Sequence, residues 1–83
     1  MTLADEIRRY AKVNYIDPAR ARGESQVSIR AGDLHKAMGL TNRLPAAISA
    51  LGTLKFQSLA NVALVRIEGP LMSSTTTFTF RIL

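Results

Sequence analysis

Two stretches near the C-terminus constrain this chain most. Val62-Ala63-Leu64-Val65-Arg66-Ile67-Glu68 and Thr76-Thr77-Phe78-Thr79-Phe80-Arg81-Ile82 are rich in β-branched and aromatic residues and read as the arms of a β-hairpin over residues 62–82. Gly69 to Thr75 form the long turn between them. Upstream, Gln26 to Arg30 alternates polar and apolar side chains with the period of a strand. So short a strand has nothing else to pair with, so Val27 and Ile29 are expected to join the hairpin. The 83 residues make one small domain, residues 1–83.

The remaining segments read as helices. Over residues 2–16, Leu3, Ile7, Tyr10, Ala11 and Asn14 share one face, with Asp5, Arg8, Arg9 and Lys12 opposite. Thr2 and Asp5 have the spacing of a capping box. Asp17-Pro18 stops or restarts the helix, because a residue before proline is pushed out of the α region. A further short turn then closes at Gly23. A second helix spans residues 31–38, with Leu34, Ala37 and Met38 inward. Gly39 is placed for a left-handed C-terminus with Leu40 packing back. A third spans 42–51, capped by Thr41 or Asn42, with Pro45 in its first turn and Leu44, Ile48 and Leu51 inward. Gly52 ends it, and Thr53 caps a short helix to about Ala60. Leu34, Ile48, Leu51, Leu64 and Phe78 are the expected core.

Composition narrows the function. Hydrophobic residues make up 47% and charged residues 20%, which argues for a packed globule rather than disorder. Eleven Lys and Arg against six Asp and Glu give +5, a balance that favours anionic partners, nucleic acid first. The absence of cysteine removes disulfides, thiolate metal sites and a cysteine nucleophile together. Leu44 to Val65 carries one charge, Lys55, but Pro45, Gly52, Gln57 and Asn61 interrupt it, so no membrane span is expected. The acidic start has no secretory pattern, which fits the cytoplasm.

The order helix, strand, helix, tight turn, helix, hairpin resembles the winged helix-turn-helix superfamily over nearly the whole chain. The resemblance centres on Asp33-Leu34-His35-Lys36-Ala37-Met38-Gly39-Leu40-Thr41, followed by Leu44, Ile48 and Leu51. It implies an α+β fold of three main helices on a small antiparallel sheet, with the hairpin loop as wing. It also implies a non-enzymatic protein, a small regulator that binds double-stranded DNA. In that picture the helix at 42–51 enters the major groove with Asn42, Arg43, Ala46, Ser49, Ala50 and Thr53 outward. Arg43 is placed to read guanine and Asn42 adenine, while Arg30, Lys36, Lys55 and Arg66 supply phosphate contacts. The helix is poor in base-reading side chains, and the wing tip has no basic residue. Leu71 and Met72 stand there instead and suit a protein partner. A winged-helix protein-interaction module, using that tip or the first helix, is therefore the alternative.

Other chemistry has little support. His35 is the sole histidine and is expected at the surface, leaving neither a metal pair nor an acid–base dyad. No phosphate-loop or nucleophile-elbow pattern occurs. No cofactor is implied. Phe78 and Phe80 are spaced like the stacking pairs of RNA-binding sheets, but core packing is the expected role.

Overall fold

A computed structural model describes residues 2–70 and 73–83. Five α-helices, α1 (Leu3–Ala11), α2 (Asp17–Ala21), α3 (Ala31–Ala37), α4 (Leu44–Leu51) and α5 (Leu54–Ala60), accompany strands β1 (Gln26–Arg30), β2 (Val62–Glu68) and β3 (Thr77–Ile82). The strands form an antiparallel sheet in the order β1-β3-β2. The fold is a small α+β one, and among the described residues no helix is long and apolar enough to cross a membrane.

Thr2 caps α1 as its sequence suggests: its hydroxyl accepts from the Asp5 N–H, and its own N–H donates to the Asp5 carboxylate. The helix does not stop before Pro18. Lys12–Ile16 continues it as a π-helical turn, in which the Asp17 N–H reaches back to the Lys12 carbonyl, and Asp17 itself stays helical. Pro18, which has no N–H to donate, then falls in the first turn of α2. Lys12 Nζ bridges the widened turn to the Asp17 carboxylate at 3.0 Å. α1 and α2 are thus one continuous run, closed by left-handed Gly23. Asn14, expected inward, is exposed, and its amide donates to the Tyr10 carbonyl. The extra residue per turn rotates everything beyond Ala11 relative to a 3.6-residue count.

α3 ends as expected. The Gly39 N–H bonds to the Lys36 carbonyl and the Leu40 N–H to that of His35, a Schellman closure around a left-handed glycine. Ala37 is exposed, however, and Ala31 is buried in its place. α4 begins two residues later than expected. Asn42 is left-handed (φ 55°), Arg43 occupies the N-cap position, and neither Thr41 nor Asn42 caps the helix. Its phase differs as well. Ala47, Ala50 and Leu51 are buried, Ala46 packs partly against the core, and Leu44 and Ile48 are half-buried. Gly52 ends α4, and the Thr53 hydroxyl caps α5 by accepting from the Phe56 N–H at 3.2 Å.

β3 is the central strand. Val27 and Ile29 pair with Phe80 and Phe78, as anticipated. On the other side Leu64 also pairs with Phe80, but the register then slips, so that Arg66 faces Thr79 and Ile67 faces Phe78. Val65 is the extra residue of a β-bulge. The sheet's inner face and the helices enclose a core that includes Ile7, Ile29, Leu34, Leu51, Phe56, Phe78 and Phe80. Phe56 meets Phe80 edge-on at 5.1 Å, which settles both hairpin phenylalanines as core. Leu64, expected in the core, is only half-buried. Backbone bonds tie the hairpin loop to α3: the N–H groups of Ala31 and Gly32 donate to the carbonyls of Thr76 and Ser74.

Candidate nucleic-acid interface

The structure distributes the expected contact residues over three places. Lys36, Asn42, Arg43 and Ser49 belong to the α3–turn–α4 segment, and all four are exposed. The segment is held by a contact absent from the sequence reading: His35 Nε2 accepts the Arg43 backbone N–H at 3.1 Å. His35 is therefore half-buried against the turn rather than a free surface group. The bond fastens the end of α3 to the start of α4. The Arg43 side chain is left free to project from the mouth of α4.

Along α4 the exposed stripe is Pro45, Ser49 and Gly52, at spacings of four and three. Ser49 is its one polar side chain. Ala47 and Ala50 are buried, so neither can touch a thymine methyl. The helix offers a groove one hydroxyl along its length and a guanidinium at its start.

Lys55 is elsewhere. It stands at the start of α5, where Nζ lies 3.3 Å from the Asp5 carboxylate of α1. Asp5 also takes Arg8 at 3.0 Å. Its carboxyl is held below the usual range, first by its contacts with Thr2 and then by Lys55. This corner borders an open groove of about 760 Å³ between α1 and α5, lined by Arg9, Lys12, Val13, Lys55 and Leu59 among others.

Arg30 and Arg66 occupy the third place, the outer face of the sheet. Cross-strand partners share a face, so one row there is Ser28, Thr79 and Arg66, and the next is Arg30, Thr77 and Glu68. Arg66 bonds Glu68 at 3.0 Å along this face. Gln26, Arg81 and Ala63 form the remaining row. Arg81 was missed from the sequence, although its alternation with Phe78 and Phe80 signals an outward side chain. Among the described residues Arg30, Lys36, Arg43 and Arg81 make no ion pair, in contrast to Lys55 and Arg66.

The contact expected of Leu71 and Met72 lies outside the described residues. Among the described residues no group of three His, Cys, Asp or Glu side chains could hold a metal ion. Comparison with protein-family models, with curated proteins and with solved structures finds no match.

Proposed function

We propose that the chain is a non-enzymatic duplex-DNA-binding domain of winged helix-turn-helix type. In this reading α3 and α4 are the helix-turn-helix pair, and the loop between β2 and β3 is the wing. The strand order β1-β3-β2 and the bonds from the hairpin loop to α3 are compatible with that arrangement. One observation carries the functional reading: Lys36 and Arg43, both exposed and without an ion-pair partner among the described residues, flank a turn locked by the His35–Arg43 bond. Lys36 meets phosphate, and Arg43 faces the base edges at the start of α4. With only Ser49 along the stripe, affinity comes mainly from the backbone and sequence preference is narrow.

Fluorescence anisotropy with random and defined duplexes tests it. Lys36→Ala weakens binding on every sequence and lowers the log–log salt slope by about one unit. Arg43→Ala removes roughly 1–3 kcal/mol of preference at one base pair. Unchanged binding in both variants, with the fold retained, refutes the reading.

A second reading has its own observation. Val13 and Leu59, both exposed, line the α1–α5 groove together with Arg9, Lys12 and Lys55. Such a groove suits a protein partner, which is the interaction-module alternative. Loss of partner capture in Val13→Asp or Leu59→Asp, with duplex binding absent in the wild type, identifies it.

A further inference from the structure

We propose that the outer face of the sheet is a second, sequence-independent nucleic-acid surface, on which Arg30, Arg66 and Arg81 engage the phosphate backbone of a duplex. Arg30 and Arg66 serve this face rather than the groove that α4 enters, and Arg81 completes it. Contact here does not depend on α4, so the inference stands or falls separately from the groove-reading role of Arg43.

The ladder places all three guanidinium groups on one side. Arg81 lies opposite Gln26 and Ala63, Arg66 opposite Thr79, and Arg30 opposite Thr77. From strand spacing and rise, the Cα atoms of Arg66 and Arg81 are roughly 8 Å apart, those of Arg30 and Arg66 roughly 12 Å, and those of Arg30 and Arg81 roughly 14 Å. Side chains as long as arginine span such a triangle and reach phosphates one or more nucleotides apart. Between them the exposed Ser28 and the buried Thr79 bond hydroxyl to hydroxyl at 3.0 Å in the middle row, so Ser28 is the hydroxyl residue of that row open to solvent.

The bulge makes this face. With strict alternation from Val62, the side chains of Val62, Leu64 and Arg66 point inward, which would drive a guanidinium toward the core. The extra residue at Val65 reverses the phase, so Arg66 falls on the outer face beside Thr79, and Ile67, still exposed near the hairpin end, pairs with Phe78.

The chemistry of the face selects its occupant. Three arginines meet one carboxylate, Glu68, and both Arg30 and Arg81 are exposed and without ion pairs among the described residues. The aromatic rings of β3 are buried on the opposite side, so no ring is available to stack an unpaired base. The apolar side chains at these rows are Ala63 and, at the bulge, the exposed Val65, a smaller cluster than the hydrophobic centre of a protein interface. Three exposed guanidinium groups on one face fit a phosphate backbone.

The test is a salt titration of the full chain against a random-sequence duplex. Arg30→Ala/Arg66→Ala/Arg81→Ala is compared with a charge-matched control, Arg9→Ala/Lys12→Ala/Arg22→Ala, and circular dichroism confirms each fold. Three lost phosphate contacts flatten the slope by about 2.7 units. Between 50 and 200 mM salt the triple variant then loses roughly 40-fold less affinity than wild type. The control changes the slope by less than one unit. Glu68→Gln, which frees Arg66, tightens binding roughly two- to fivefold at low salt. Equal flattening by both triple variants, or an unaltered slope in the sheet variant, overturns the proposal. So does a wild type that binds polyglutamate in place of duplex. If Lys36→Ala/Arg43→Ala leaves affinity intact while the sheet variant loses it, the α4 reading fails and this one holds.

Discussion

The α3–α4 turn and the outer face of the sheet both present free arginines, yet they are held in opposite ways. The turn depends on single local devices: left-handed Gly39, left-handed Asn42 and one hydrogen bond from Arg43 to His35. Beneath it α4 is seated by small side chains, Ala47 and Ala50, with Leu51 as the large one. The sheet face is a ladder, bonded on both sides of β3 and backed by Phe56, Phe78 and Phe80. A device of one bond fails when that bond is removed. A ladder fails only with its core.

The largest expected effect comes from breaking the shared support. Phe80→Ala empties a fully buried site against Phe56 and costs roughly 3–5 kcal/mol. Domains are stable by only about 5–15 kcal/mol, so both regions loosen together, measurable by urea unfolding. Leu51→Ala costs roughly 2–5 kcal/mol and separates them. Amide exchange should accelerate over α4 before it does over β3.

A mid-sized effect probes the joint between helix and hairpin. A Cβ built on Gly32 would lie 2.5 Å from the Ser74 carbonyl oxygen, backbone that cannot swing away. Gly32→Ala therefore costs roughly 1–3 kcal/mol and weakens the Gly32–Ser74 bond, seen as a lowered Tm and faster exchange at residue 32.

The same contrast explains what the sequence made legible. The hairpin, the Gly39 closure and the Thr53 cap follow from residue types acting on their own neighbourhood, and each is found. The phase of α4 does not. An alanine-rich helix carries little periodic signal, so Leu44 and Ile48 outweighed Ala47 and Ala50, which tight packing against α1 and α3 prefers. The π-turn at Lys12–Ile16 and the bulge at Val65 each add a residue to a repeat, so Asn14 falls outward and Arg66 leaves the side that strict alternation would give it. Of the site residues, Lys36 and Arg43 keep their expected setting. Arg30 and Arg66 belong to another face, Lys55 pairs with Asp5, and Arg81 emerges only from the register.

Smaller effects sharpen the comparison. His35→Ala deletes the acceptor for the Arg43 N–H and costs about 1 kcal/mol, with chemical-shift changes confined to the α3–α4 turn and none on the sheet. The Asp5 network gives a pH signature instead. Because Thr2 and then Lys55 hold the folded carboxyl below its unfolded value, its stabilisation is present above the ordinary carboxylate range and is lost as pH falls through the folded value. Asp5→Asn should lower Tm at neutral pH, and the gap to wild type should close in acid.

The most direct test is a two-dimensional NMR titration of the chain with a short duplex at low salt. Resonances of Lys36, Arg43 and Ser49 should move, and as a separate set those of Ser28, Arg66 and Arg81, both sets reverting when salt is raised. Shifts confined to Val13, Leu59 and the rest of the α1–α5 groove, or no shifts at all, would contradict the account.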